Sequence, residues 1–318
     1  MSRTAIAYLG LFVLAIAAPF VVYPIFLMKC LCFALFACAF NLLIGYTGLL
    51  SFGHAAFFGM AGYTAGYAIK GWGLPPELAV IAGTLVAAAL GYVVGWLAIR
   101  RQGIYFAMIT LALAQMVYFF CVQVPFTGAE DGLQNVPRGR LFGVIDLKND
   151  FNMYYLVLAN FILGYALIHR IIHSPFGQVL KSIRENEPRA LSLGYEVDKF
   201  KLLAFVLSAG LSGLAGATKT LALGLASLTD VHWHQSGEVV LMTLLGGLGT
   251  VFGPVVGAFT ITALQNYLAG LGSWVSVIMG GIFVICVLIF RRGVVGEIQA
   301  LLKRGTSGGT LPGTPGPK

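Results

Sequence analysis

Residues 25–45 read IFLMKCLCFALFACAFNLLIG, an apolar run that carries one charged side chain, Lys29. A helix of about 20 apolar residues is long enough to cross the hydrocarbon core of a bilayer. Lipid offers the backbone no hydrogen-bond partners, so a run of this kind crosses the membrane as a helix. The stretch therefore predicts an integral membrane protein of the all-α class.

Similar runs on both sides of this stretch predict a polytopic transmembrane helical bundle of about ten membrane segments. They lie at 5–22, 25–45, 54–69, 77–99, 104–122, 153–172, 202–225, 239–248, 253–268 and 274–290. The first run follows Arg3 as in a signal peptide, but it is too long for one, and we predict an uncleaved first span. Eight segments, with the two short runs fused into one bent helix and one other pair misread, are the alternative count.

Composition excludes a soluble globular protein, because 58% of the 318 residues are hydrophobic and 10% are charged. A soluble domain has about a quarter of charged residues. The net charge of +8 does not indicate nucleic acid as a partner, since the basic side chains flank apolar runs instead of forming a stripe with aromatics. The five cysteines all lie within apolar runs and show neither a disulfide framework nor a metal-ligand spacing.

The distribution of basic residues predicts the orientation of the chain. With ten crossings and the N-terminus inside, most of the 20 lysines and arginines fall on the inner side, as cytoplasmic flanks require. Two lysines, Lys29 and Lys219, fall near the outer ends of spans, where snorkelling to the interface accounts for them. We expect a multi-pass protein of the bacterial inner (plasma) membrane with both termini cytoplasmic. The basic residues expected outside are Lys70, Arg138, Arg140 and Lys148.

One transmembrane domain is expected over residues 1–304, with two longer polar segments. Segment 123–152 falls outside and either meets a soluble partner or caps the bundle. Segment 169–201 falls in the cytoplasm. The tail 305–318 is rich in Gly, Pro, Thr and Ser, has nothing to bury, and is predicted to be disordered.

The cytoplasmic segment predicts two short helices lying across the inner mouth. Ser174 and Pro175 form a helix start, a hydroxyl cap before a proline, and this helix runs to about Asn186. A second turn begins at Pro188 and ends at Gly194. The first helix is amphipathic, which fits either a protein partner or a lipid surface. Interspersed acidic residues favour the protein partner, because anionic lipid repels them.

At this point the chain resembles a known family. The run RENEPRALSLG at 184–194, followed by KLLAF at 201–205, is similar to the ATPase-coupling loop of branched-chain amino-acid ABC permeases of the LivM type. The runs NLLIGYTGLLSFGH at 41–54 and SGEVVLMTLLGGLGTVFGP at 236–254 resemble further motifs of that family. The likeness covers about residues 25–292.

The resemblance implies the permease subunit of an ABC importer for branched-chain amino acids or related small solutes. It implies a second homologous permease, two cytoplasmic ATP-binding subunits and a periplasmic substrate-binding protein as partners, besides the lipid bilayer. The chain then binds no cofactor and catalyses nothing itself, ATP and Mg being held by the partner subunits. The coupling residues it implies are Arg184, Glu185, Glu187, Arg189, Ala190 and Gly194.

Two glycine-rich stretches, 42–53 and 244–253, share residue types in the same order and indicate two pseudo-symmetric halves. Broken helices at matching positions are typical of a translocation path, although close helix packing also accounts for glycines. Polar side chains inside spans add path candidates, with helix–helix hydrogen bonding as their alternative role. The candidates are Asn41, Thr47, Ser51, His54, Gln115, Ser208, Ser212, Gly246 and Gly247.

Two other functions compete with the importer permease. An ion-coupled secondary transporter needs acidic residues at mid-membrane, whereas the aspartates and glutamates fall in loops or at span ends. A membrane enzyme needs clustered titratable groups in one pocket. Asp230, His232 and His234 are weak evidence for a metal site, and we expect them to form a docking surface for a binding protein instead.

Overall fold

The computed structural model describes residues 15–143, 145–272, 274–289, 293 and 296–297, and these form a helical bundle. In this part of the chain the sole paired strands are the short hairpin of β1 and β2. The all-α prediction is confirmed. The elements are α1 Pro24–Thr47, α2 His54–Lys70, α3 Pro76–Ala98, α4 Ile104–Gln123, β1 Arg140–Leu141, β2 Ile145–Asp146, α5 Asp150–His173, α6 Pro175–Glu185, α7 Glu187–Ser192, α8 Val197–Leu223, α9 Trp233–Gly246, α10 Gly253–Leu268 and α11 Trp274–Ile289.

Five helices, α1, α3, α4, α5 and α8, are long and apolar enough to cross a bilayer. The helices α2, α9, α10 and α11 occupy further predicted segments and are shorter, at 14 to 17 residues. The predicted first span, 5–22, lies largely outside the described residues, which begin there with a short helical stretch ending at Phe20. The tail 305–318 lies wholly outside them.

The centre of the bundle is formed by α1, α2 and α8. In α1 the most apolar window is 89% buried, whereas in α4 and α5 it is 28% buried. A helix that is apolar on all sides lies either inside a bundle or in lipid. The helix α1 lies inside the bundle. The outer helices α4 and α5 therefore present their apolar surfaces to lipid.

Small residues bring the central helices together. A Cβ atom on Gly216 of α8 would collide with the Phe58 carbonyl of α2, and one on Gly62 would lie 2.5 Å from the Thr220 hydroxyl. Close backbone approach of this kind replaces the hydrophobic driving force that helices lack in lipid. The glycine spacing in these spans therefore serves packing.

Two helices begin earlier than the apolar runs predict. The helix α9 starts at Trp233 instead of 239, because the side chain of His232 caps it by accepting from the His234 amide at 3.3 Å. The helix α8 starts at Val197 instead of 202. These extra turns place Glu238 and Lys201 within helices, although hydropathy alone had put them at span ends.

Segment 124–149 folds back on the end of α8. Leu133 pairs with Ala226 in an isolated bridge, and the Val136 amide donates to the Gly224 carbonyl at 3.0 Å. Arg138 donates to the Asp150 carboxylate at 2.5 Å and to the Ala222 carbonyl at 2.8 Å. The segment therefore caps this end of the bundle, as one of the two interpretations expected.

Lys219 does not snorkel. Its Nζ lies 2.7 and 2.6 Å from the two carboxylate oxygens of Asp230, and both side chains are 8% exposed. Asp230 also accepts from the backbone amide and the hydroxyl of Ser227, both at 3.3 Å. The lysine is thus neutralised within the protein by a residue that follows its own helix, which a scan of hydrophobic runs does not reveal.

Candidate functional site: the α6–α7 element and the glycine turns

The two short helices predicted after α5 are present, and we call them the α6–α7 element (residues 175–192). Ser174 caps α6 by accepting from the Gly177 amide at 3.3 Å, and Pro175 occupies its first turn. Leu180 and Ile183 are buried, so the apolar face of α6 rests on the bundle. The polar face, with Glu185, remains exposed.

The second helix, α7, is held by its caps. The Asn186 side chain accepts from the Arg189 amide at 3.1 Å, and Gly194 ends the turn with a φ of +86°. Ala190 is buried in a small cluster with Ile183 and Val197. Ala190 therefore packs within the element, whereas Arg189 and Gly194 lie on its surface.

Glu187 connects the element to two other parts of the bundle. Its carboxylate lies 2.6 Å from Nζ of Lys201 in α8 and accepts from the Gln102 amide, between α3 and α4, at 2.9 Å. The Lys201 side chain is 4% exposed and that of Glu187 is 22% exposed. Sequence reasoning missed both partners, because Gln102 lies outside the runs that carried the resemblance and nothing in the sequence pairs Lys201 with Glu187.

Arg184 reaches from α6 to the end of α1. Its guanidinium donates to the Gly45 carbonyl and lies against Gly249, while its aliphatic part contacts Gly48. Nζ of Lys181 lies 5.8 Å from the centre of the Tyr46 ring. A cavity of about 470 Å³ opens here, and it is lined by Gly45, Tyr46, Lys181, Arg184, Glu185 and Gly249.

The two glycine-rich stretches form turns that both lie beside Arg184, and the second turn contacts the end of α1. We call residues 48–53, between α1 and α2, the first glycine turn, and residues 247–252, between α9 and α10, the second. Asn41 of α1 donates to the Thr250 carbonyl at 2.9 Å and accepts from the Gly249 amide at 3.0 Å. Tyr46 donates to the Gly249 carbonyl at 3.0 Å. The predicted repeat stretches are therefore joined by hydrogen bonds.

Glycine is required at matching points of both turns. Gly48 has a φ of +76° and Gly249 a φ of +74°, a left-handed conformation that strains other residues. A Cβ on Gly45 would also lie 2.8 Å from the Gly249 amide nitrogen. The close approach of the second turn to the end of α1 depends on the missing side chains of Gly45 and Gly249.

The first glycine turn and the start of α2 are stabilised by three hydroxyls, two of which come from distant helices. The amides of Phe52 and Gly53 donate to Thr110 at 3.2 Å and to Ser51 at 3.1 Å, and the Ala55 amide donates to Ser236 at 2.9 Å. The first amides of a helix have no partner within it, so a buried start needs such acceptors. Thr110 and Ser236 were not among the predicted site residues, since a single hydroxyl in a span gives no sequence signal.

His54, Ser208 and Ser212 come together in the core. The Ser208 hydroxyl donates to the Ala39 carbonyl at 2.6 Å, so the contact of 2.8 Å to His54 requires Nε2 of the ring to donate. The other ring nitrogen, Nδ1, is buried and has no hydrogen-bond partner among the described residues. Ser212 donates to the Ser208 carbonyl at 2.8 Å. These side chains join α1, α2 and α8 in helix–helix hydrogen bonds.

The remaining path candidates are dispersed. Thr47 donates to the Leu43 carbonyl at 2.5 Å within its own helix, and Gln115 lies partly exposed on the peripheral helix α4. Gly246 packs directly on Gly253, and Gly247 ends α9 with a φ of +118°. The structure thus gathers Asn41, Ser51 and the two glycines around the turns, and it leaves Gln115 apart.

Comparison with known proteins gives the family of this chain. Residues 24–288 match a family described as the branched-chain amino acid transport system permease component. The chain is 25% identical to the high-affinity branched-chain amino acid permease protein LivM of Escherichia coli K12, over 83% of this chain and 67% of that one. The LivM protein of Salmonella typhimurium is also 25% identical, over 93% and 76%.

A third relative differs in its named solute. The ribose import permease protein RbsC of Bacillus subtilis is 28% identical over 69% of each chain. The matched family and the long apolar helices of this chain make it a multi-pass protein of the bacterial inner membrane. The chain therefore belongs to the branched-chain amino acid transport permease family, the LivM-type membrane permeases of ABC importers.

Proposed function

We propose that this chain forms the translocation path of an importer that is driven by separate cytoplasmic ATPase subunits. The observation that carries the proposal is the position of Arg184, which joins the exposed α6–α7 element to both glycine turns. An exposed charged helix offers a partner a surface, and Arg184 connects that surface to the bundle through its hydrogen bond to the Gly45 carbonyl. Nucleotide and Mg belong to the ATPase subunits in this proposal, and the chain itself binds no cofactor.

The proposed complex contains two permeases, two ATPases and a periplasmic binding protein. The α6–α7 element then faces the cytoplasm, both termini are cytoplasmic, and segment 124–149 faces the binding protein. The positive-inside distribution of lysine and arginine supports this orientation. Arg184, Glu185 and Arg189 are the proposed coupling residues, with Glu187, Ala190 and Gly194 holding their geometry.

The proposed stroke begins when the ATPase dimer closes on ATP. Closure moves the α6–α7 element, and Arg184 carries that motion to Gly45 and Gly249. Since Asn41 joins α1 to the second glycine turn, α1 and α9 move together instead of separately. The translocation path through the permease then changes from outward-facing to inward-facing.

We propose branched-chain amino acids or related small solutes as the cargo. Support comes from the two LivM relatives, which match more of this chain than the relative named for ribose does. Leucine and ribose are therefore the two solutes to compare in a transport assay.

The test is ATP-driven uptake by the reconstituted transporter, with this permease, its partner permease, the ATPases and the binding protein in proteoliposomes. Arg184→Glu replaces a charge-assisted hydrogen bond with repulsion from a carbonyl, and we expect uptake to fall at least about tenfold. Lys199→Glu is the matched control, because Lys199 is exposed beside the same element and pairs with Glu196. It leaves uptake unchanged.

Two results contradict the proposal. One is normal uptake by the Arg184→Glu transporter. The other is uptake by proteoliposomes that contain the permeases and no ATPase, which instead fits the ion-coupled secondary transporter.

A further inference from the structure

A second cavity, separate from the α6–α7 element, lies between α9, α10 and α11. Its volume is about 230 Å³. Trp233, Glu238 and Leu241 of α9 form one wall, Gln265 of α10 a second, and Met279 and Gly280 of α11 a third. The cavity therefore combines one carboxylate with apolar and aromatic surfaces.

Glu238 is the charged group of this cavity. Its side chain is 20% exposed, one oxygen accepts from the Gln235 amide at 3.0 Å, and the other lies 3.6 Å from the His234 ring. A carboxylate offers about four acceptor positions, so these contacts leave room for a further donor. Acidic side chains within membrane segments face cavities and mark the paths of substrates and ions. Glu238 is in this position because α9 begins at Trp233.

The glycines of the cavity keep it open. A Cβ atom on Gly237 or on Gly280 would meet no heavy atom within 4 Å. At Gly246 and Gly257, by contrast, a Cβ would collide with the backbone of the neighbouring helix. The second pair of glycines serves helix packing, whereas the first pair leaves free space beside Glu238.

We propose that this cavity is a binding subsite for the transported solute and takes an aliphatic α-amino acid. The ammonium group binds the Glu238 carboxylate beside the Trp233 ring, whose face also attracts cations. The aliphatic side chain packs against Leu241 and Met279. This inference rests on the proposed function and specifies the chemistry of its substrate.

The cavity is connected to the coupling site by a single helix. From Glu238 to Gly246, where α9 ends at the second glycine turn, the helix rises about 12 Å. A movement of that turn is transmitted along α9 to the carboxylate. The subsite can therefore hold its solute in one state of the transporter and release it in the other.

The experiment uses the complete reconstituted transporter and measures L-leucine uptake together with ATP hydrolysis. Glu238→Gln keeps the shape of the side chain and removes its charge. We expect leucine uptake to fall about tenfold, the loss of one charge-assisted hydrogen bond, while ATP hydrolysis continues. More ATP is then consumed for each leucine transported, which a general folding defect does not produce. Glu238→Asp restores part of the uptake.

A second variant tests the cavity without changing its charge. Gly280→Leu fills the free space from α11, and we expect the same loss of uptake with continued ATP hydrolysis. Glu77→Gln is the control, because Glu77 lies in the first turn of α3, outside this cavity. Its carboxylate accepts a hydrogen bond from the Phe142 amide at 3.1 Å. The control variant leaves uptake unchanged.

Three results overturn the inference. The first is unchanged leucine uptake by Glu238→Gln or by Gly280→Leu. The second is loss of co-purification with the partner permease in both variants, which assigns this face to a contact between subunits. The third is seen in the unmutated transporter: if it imports ribose and not leucine, the proposed cargo fails, and the ammonium subsite fails with it.

Discussion

Two buried ion pairs hold the two ends of α8, and they differ in construction. Lys201 lies near the α6–α7 element and pairs with Glu187, whereas Lys219 lies at the opposite end and pairs with Asp230. The two lysines are separated by about 27 Å along the helix. Both ammonium groups lie 2.6 Å from a carboxylate oxygen, so distance alone does not distinguish the pairs.

The difference lies in the acidic partner. Asp230 is 8% exposed, receives two contacts from Lys219 and two from Ser227, and follows α8 directly in the chain. Glu187 is 22% exposed and belongs to a helix of six residues. The Lys219–Asp230 pair is a fixed part of the bundle. The Lys201–Glu187 pair joins the α6–α7 element to the bundle, and it is the pair that can break during a transport cycle.

Lys219→Met has the largest expected effect on stability. It leaves the Asp230 carboxylate buried without its cation, and loss of one partner of a buried pair costs about 3–5 kcal/mol of the free energy of unfolding. Thermal unfolding of the purified permease in detergent measures the change. The double variant Lys219→Met with Asp230→Asn removes both charges and recovers most of the loss. A single variant as stable as the unmutated protein contradicts a fixed role for the pair.

Lys201→Met has a smaller expected effect on stability and a larger one on coupling. Glu187 is partly exposed and turns toward water when the lysine is removed, so the cost is about 1–3 kcal/mol. The main loss is in ATP-driven uptake, because the α6–α7 element loses its contact with α8. Measuring both quantities separates the pairs: equal losses of stability in Lys201→Met and Lys219→Met remove the distinction drawn between them.

Gln102→Ala has the smallest expected effect. It removes the second partner of Glu187 on an exposed surface and costs at most about 1 kcal/mol. Lys201 still holds the carboxylate, so ATP-driven uptake changes little. A loss of uptake as large as that of Lys201→Met shows that the α3–α4 turn, and not α8, receives the motion of the element.

Much of the fold follows from hydropathy and caps. The apolar runs predict α1, α3, α4 and α5 to within a few residues, because a membrane-crossing helix needs about 20 apolar residues whether its faces meet lipid or protein. Ser174, Pro175 and Gly194 predict both helices of the α6–α7 element. The early start of α9 was missed, since its first turn, from Trp233, is polar and its cap is a histidine.

The candidate site was harder to predict. The glycine repeat pointed to both turns, but the hydrogen bonds from Asn41 in α1 to the second turn join residues more than 200 positions apart, a separation that no local pattern encodes. The ion pairs of the two buried lysines were missed for a similar reason. Lys201 and Lys219 were assigned to a loop and a membrane interface because their acidic partners lie on other elements, and only tertiary structure brings the charges together.

The Asn41 amide also has a consequence for biogenesis. Its two partners, the Gly249 amide and the Thr250 carbonyl, are synthesised more than 200 residues later. At about 5–20 residues per second the ribosome needs on the order of 10–40 s to produce them. During that interval α1 is already in the membrane with a polar group that lipid does not satisfy. Final seating of α1 against the second glycine turn therefore waits for the last third of the polypeptide.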